Sequence, residues 1–182
     1  KTIDPLAKVN PGMAALANGS MVFHMELDDV HMTSHTHPGI STVIPSLALA
    51  EQLNRSGEEV IEAIVVGYEV QARLGNAVSP SIYVDRPFMP AATLGTFGAA
   101  AAASKLFGFP SEKVVTALGT ASFLTPLALY ENYTQGAAAK ELSMGWAAMS
   151  GMMAAELAGQ GFSGTPSWLE GPLGFAVAAA DR

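Results

Sequence analysis

His24, His31, His35 and His37 are the four histidines of this chain, and the short stretch holding them also carries Glu26, Asp28 and Asp29. An unperturbed imidazole titrates near neutrality, so it can take and give a proton under ordinary conditions. A carboxylate beside it can orient the ring or share the acid/base work. Gathering both residue types in one place, in an otherwise apolar chain, points to a reactive site.

Three chemistries fit this pattern. The first is no reaction at all: a polar helix end with caps and solvated histidines. The second is a metal site, because His and carboxylate at helical spacing can ligate zinc or non-haem iron. The full His-Glu-x-x-His type of motif is absent, however. The third is metal-free acid/base chemistry on a carboxylate substrate. Lys140 belongs to the same question. It sits at the start of a long helix with almost no charge, where it either snorkels to solvent or holds a carboxylate and stabilises an enediolate.

These groups are positioned by elements that read as helical almost throughout. Asn10-Pro11 is an N-cap followed by proline at the first helical position, predicting a helix through Met13, Leu16, Met21, Val22 and Phe23 toward Leu27. If that helix continues through the motif, His24, Asp28 and His31 share one face at i, i+4 and i+7, while Glu26 and Asp29 project elsewhere. His35 and His37 then fall in the turn before a helix opened by His37-Pro38. Unpaired N–H groups and the helix dipole at that N-terminus favour an anion such as a substrate carboxylate. Pro45 either kinks this helix or marks its start.

Ser56-Gly57-Glu58-Glu59 is a capping box, and Val60, Ile61, Ile64, Val65, Tyr68 and Leu74 follow it at helical spacing. Glu69 and Arg73 on this helix are spaced for an i,i+4 salt bridge. Residues 76–90, with Pro80, Pro87 and Pro90, read as a loop. Helices are predicted over 90–107, 111–124 and about 137–160. Tyr130, Glu131 and Tyr133 read as loop or rim residues, and 163–174 as loop. Gly95, Gly98 and Ala102, and likewise Gly145, Ala148, Gly151 and Ala155, place small residues where helices can approach closely. The fold class expected is therefore all-α, a multi-helix bundle formed by 1–182 as a single helical domain.

Charged residues make up 14% of the chain and hydrophobic ones 49%. Against the roughly 25% charge of average domains, this leaves little surface suited to water and suggests burial against another domain or subunit. The net charge of -7 argues against nucleic-acid or anionic-membrane binding, which needs clustered Lys and Arg. The apolar run Phe97 to Phe109 is interrupted by Lys105 and reads as a core helix, not a membrane span. The lack of cysteine excludes disulfides, thiolate metal sites and cysteine nucleophiles. No secretory signal is visible, and a start at Lys1 without Met suggests a piece of a longer protein.

The ordered set Ala17-Asn18-Gly19-Ser20, His24, Asp28-Asp29, His37-Pro38-Gly39, Gly67-Tyr68-Glu69-Val70, Arg73-Leu74, Thr96-Phe97-Gly98-Ala99-Ala100-Ala101, Lys140, Gly145, Ala148, Gly151, Gly161-Phe162-Ser163-Gly164 and Leu169-Glu170-Gly171 resembles the MmgE/PrpD family over nearly the whole chain. The resemblance implies a cytoplasmic, homodimeric enzyme that acts on small di- or tricarboxylates without metal or other cofactor. It also implies a site between a helical domain and an α+β lid, of which this chain resembles part of the helical domain only. The family's acidic position before the Asp-Asp pair falls on Glu26, its His before Pro on His37 and its helical Lys on Lys140.

In this chain Val30, Met89 and Ser143 stand where the family often has Thr, His and His. The roles implied are an acid/base set of Glu26, Asp28 and His37, with Lys140 both acting in catalysis and binding substrate. Substrate carboxylates are held by Lys140 and the helix N-terminus at Pro38, aided by His24 and Asp29; His31 and His35 are turn or rim residues. The activity expected is a 2-methylcitrate dehydratase-type lyase of propionate catabolism. The alternatives are an iminodisuccinate epimerase-type isomerase, or a non-catalytic helical dimerisation module, to which Met89, Ser143 and the missing lid point.

Overall fold

A computed structural model of the protein describes residues 9–180; the start at Lys1 lies outside them. The architecture is all-α, and nine helices are found among the described residues: α1 (Pro11–Met25), α2 (Pro38–Leu53), α3 (Gly57–Val78), α4 (Ser81–Val84), α5 (Pro90–Phe107), α6 (Ser111–Leu124), α7 (Tyr130–Thr134), α8 (Ala139–Gly159) and α9 (Phe175–Ala180). None is long and apolar enough to cross a membrane.

The central element is α5. Its sequence is apolar or small on every side, which suits a helix with no solvent face, and nearly all its residues are buried. Pro90 opens it, and Gly108 closes it in the left-handed region at φ 71°, its N–H bonded to the carbonyls of Ser104 and Lys105. The helices α2, α3, α6 and α8 pack around it. Among its buried polar side chains, Thr93 donates to the Pro126 carbonyl at 3.1 Å and Thr96 lies 3.3 Å from the Ser150 hydroxyl, whereas the Ser104 hydroxyl has no hydrogen-bond partner among the described residues.

The small residues of α8 act as the sequence suggests. Gly19 of α1 faces Gly145 so closely that a Cβ on Gly19 would lie 2.9 Å from the Gly145 Cα. A Cβ on Gly151 would collide with the Thr96 carbonyl on α5. α8 is thereby held at backbone contact between α1 and α5. The contact of Gly12 with Met149 at one end, and of His24 with Glu141 at the other, makes α1 and α8 antiparallel. This brings the C-terminus of α1 beside the N-terminus of α8.

Several boundaries differ from expectation. α1 stops at Met25, two residues short of Leu27, because Glu26 turns into the left-handed region at φ 50° with its N–H bonded to the Phe23 carbonyl. The segment 76–90 is only partly loop: α3 runs on to Val78, closed by the Ser79 N–H on the Gly75 carbonyl, and α4 follows. Tyr130 to Thr134 form a short helix. Pro45 lies inside α2, so it is not the helix start. The capping box at Ser56 is formed on both arms, and Arg73 meets Glu69 at 2.7 Å.

Candidate active site

Three elements converge where α1 ends: the 26–37 segment, the first turn of α8 and the start of α5. The left-handed turn at Glu26 sends its carboxylate to the Lys140 ammonium, which it meets as an ion pair and hydrogen bond. Lys140 does not snorkel: its side chain is only 17% exposed, and its Nζ lies 5.3 Å from the Tyr133 ring centroid and 5.9 Å from that of Phe23. The hydrogen bond from Lys140 holds the Glu26 carboxyl below its ordinary range, and the same bond raises Lys140. The pair therefore remains doubly charged through neutral pH.

Because the helix ends at Met25, the one-face arrangement of His24, Asp28 and His31 does not exist. The segment folds back instead. His31 and Thr36 pair across a tight loop, the His31 N–H donating to the Thr36 carbonyl at 2.9 Å. Buried Ser34 packs against Gly75 of α3, where a Cβ would collide with it. This return brings Asp28 to His37, with Oδ2 2.5 Å from Nδ1 and the two side chains 5% and 26% exposed respectively. The Phe23 ring meets the His37 ring edge-on at 5.7 Å. The imidazole and the ammonium thus both lie close to one phenyl ring.

The four histidines go to four different partners. His24 meets Glu141 at 2.8 Å, His31 the Ser34 hydroxyl at 2.8 Å, His35 the Tyr83 hydroxyl at 3.1 Å, and His37 takes Asp28. Among the described residues no three His, Asp or Glu side chains come together in a group that could hold a metal ion.

Asp29 is committed within the protein. Its Oδ1 accepts the Gly39 N–H at 2.9 Å and its Oδ2 accepts the Tyr68 hydroxyl at 2.9 Å. The anion at the N-terminus of α2 is therefore Asp29 itself, where a substrate carboxylate was expected. Burial, more than the Asp29 contact, pushes the Tyr68 hydroxyl well above its ordinary range. The sequence placed Tyr68 on a helix and in a family motif but not at the site, because its bond to Asp29 spans 39 residues and no local pattern encodes it.

Glycine at position 39 leaves room for Asp29, because a Cβ there would collide with Asp29 Oδ1 and lie 3.0 Å from the Tyr68 hydroxyl. Gly39→Ala is expected to expel Asp29 and cost about 1–3 kcal/mol. Denaturant unfolding should show this loss, with faster amide exchange across 26–37 than in α5.

Two hollows adjoin these groups. The larger, about 440 Å³, is lined by Lys140, Ser143, Asn132 and Trp146; the smaller, about 150 Å³, by His37, His35, Tyr83 and Val30. Met89 and Tyr133 line both. His37 and Lys140 therefore each open onto one of the hollows. Glu26 and Asp28 act on them through their partners, and His24 and Asp29 line neither hollow. Together the hollows suit a small ligand.

The arrangement can do two things chemically. The His37–Asp28 pair can move a proton with its imidazole held in one orientation. The Lys140 ammonium, set against the Tyr133 and Phe23 rings, can hold a carboxylate in place of Glu26.

Residues 3–182 match the family model described as the MmgE/PrpD N-terminal domain. The chain is 37% identical over 176 residues to the cis-aconitate decarboxylase of Homo sapiens, covering 94% of this chain and 36% of that protein. It is 31% identical over 173 residues to the cis-aconitate decarboxylase of Aspergillus terreus, covering 92% of this chain and 35% of that protein. The chain thus spans about a third of the length of these curated relatives.

Proposed function

The chain belongs to the MmgE/PrpD family, and from that premise we propose that it carries the helical part of a lyase acting on small tricarboxylates by metal-free acid/base chemistry. The observation that carries this reading is one imidazole–carboxylate pair and one ammonium gathered around Phe23, whose ring centroid lies 5.7 Å from that of His37 and 5.9 Å from Lys140 Nζ. Lys140 takes a substrate carboxylate in exchange for Glu26, and His37, oriented by Asp28, moves the proton. Glu26 positions the Lys140 ammonium until the substrate displaces it. His24 and Asp29 support the site from its rim.

The number of proton-moving groups favours one lyase reaction over the others. Dehydration removes a C–H proton and also protonates a departing hydroxyl. Epimerisation removes a proton from one face and returns one to the other. Decarboxylation of an unsaturated acid breaks one C–C bond and releases carbon dioxide. The electron pair delocalises toward a neighbouring carboxylate, which Lys140 stabilises, and carbon then takes a single proton from His37. One imidazole pair suffices for this, and the second imidazole on the smaller hollow, His35, is engaged by Tyr83. The similarity to cis-aconitate decarboxylases supports the same reading. A lid domain and a second subunit complete the proposal, with a cytoplasmic location. Exposed Met21, Met25 and Leu47 on α1 and α2 and the low charge content support burial against another surface.

The test is to incubate the full-length protein with cis-aconitate and follow carbon dioxide release and product formation by NMR. Parallel samples would contain 2-methylcitrate, read by absorbance of the conjugated acid, and iminodisuccinate, read by a chiral assay. Turnover of cis-aconitate alone is the expected outcome. Turnover of 2-methylcitrate alone would restore the dehydratase, inversion of iminodisuccinate the epimerase, and no turnover by a folded protein the non-catalytic module.

A further inference from the structure

We propose that Met89 determines substrate specificity, seating an unhydroxylated carbon segment of the substrate between the Lys140 and His37 hollows. The inference rests on the polycarboxylate reading above and adds which member of that class the site prefers.

Met89 lies on the wall shared by the two hollows. A ligand with one carboxylate at Lys140 and its reacting carbon near His37 passes its middle atoms along the wall formed by Met89 and Tyr133. Met89 cannot swing away easily. Its N–H donates to the Ala128 carbonyl at 2.7 Å where α5 begins. Its side chain is 5% exposed and packs in one cluster with Phe23, Ile40 and Met144.

The thioether offers no proton and accepts only weakly. The Ser143 hydroxyl does not compensate, because it is turned to the Lys140 carbonyl oxygen at 2.5 Å and meets Met89 Sδ only at 3.8 Å. A hydroxyl directed at Met89 would leave water for a surface that gives it no strong partner, which is unfavourable; Tyr133 is the other residue common to both hollows. A CH₂ or C=C carbon in the same place keeps its dispersion contacts with sulfur and loses nothing. The wall therefore discriminates against hydroxy acids while the two flanking hollows still take their carboxylates.

The discriminating pair of probes is tricarballylate and citrate, which differ by one hydroxyl on the central carbon. Binding of each to the full-length protein would be measured by calorimetry. Tricarballylate is expected to bind about 10- to 100-fold more tightly, the range one unsatisfied hydroxyl commands in an apolar pocket. Met89→Leu should keep the ratio, and Met89→Gln should bring it within about threefold of unity while the thermal midpoint stays near that of the parent. A purely structural role for Met89 would weaken both ligands together and leave the ratio intact.

Equal binding of the two probes, or an unchanged ratio in a folded Met89→Gln, overturns the inference and leaves the polycarboxylate site standing. Failure of both probes to bind overturns the site reading and this inference with it. If Met89→Gln does not fold, the native ratio and Met89→Leu decide the matter, since a native ratio near unity is already sufficient to reject it.

Discussion

Replacing His37 by asparagine in the full-length protein is expected to lower kcat about 10²- to 10⁴-fold, the usual contribution of a positioned acid/base group. Asparagine keeps a polar side chain opposite Asp28 but does not titrate near neutrality. KM should change little, because the carboxylate is held by Lys140, which lines the other hollow. The thermal midpoint is a necessary control, since His37 also makes the edge-on contact with Phe23. Asp28→Asn tests the same pair from the other side, leaving an imidazole with a neutral partner. A fall in kcat of less than tenfold in a folded His37→Asn protein would remove His37 from the reaction.

The second large effect is on stability. Gly145→Val is expected to destabilise the full-length protein by about 3 kcal/mol or more, at the upper end of overpacking costs. The new atoms would be driven into the Leu16 carbonyl and Ser20 across the α1–α8 contact, and backbone cannot give way as a flexible side chain can. Gly57→Ala is the matched control. Position 57 has nothing within 4 Å of a Cβ, so that change should be nearly neutral in denaturant unfolding. A small loss for Gly145→Val would mean that α1 and α8 are not held at backbone contact. The same contact sets Glu26 beside Lys140, so this variant should lose carboxylate binding even where it remains folded.

Much of the fold was legible because its signals are local. Pro90 and Gly108 bound α5, Ser56 and Glu59 bound the start of α3, and the small residues of α8 marked a close helix contact; each acts through its immediate neighbours. The errors came where a short-range rule met a longer-range one. Spacing carried the first helix on toward Leu27, and with it a shared face for His24, Asp28 and His31. In the fold, Glu26 ends that helix, and the packing of Ser34 on Gly75 draws the following residues back across it. The prolines of 76–90 suggested a loop, yet α3 continues to Val78 and ends only where Ser79 caps it.

The candidate site divides along the same line. The sequence alone determined that the chain is helical and that it resembles one family, and it singled out His37, Asp28, Glu26 and Lys140 as candidates for chemical roles. Tertiary structure decided which of these groups meet. Lys140 reaches Glu26 across 114 residues, Tyr68 reaches Asp29, and Met89 stands between the two hollows, none of which any local spacing encodes. The physical reason is that helix periodicity orders side chains within a few turns of one another. Pairing across the molecule is set by how closely helix backbones approach, and here that approach depends on Gly19, Gly145 and Gly151.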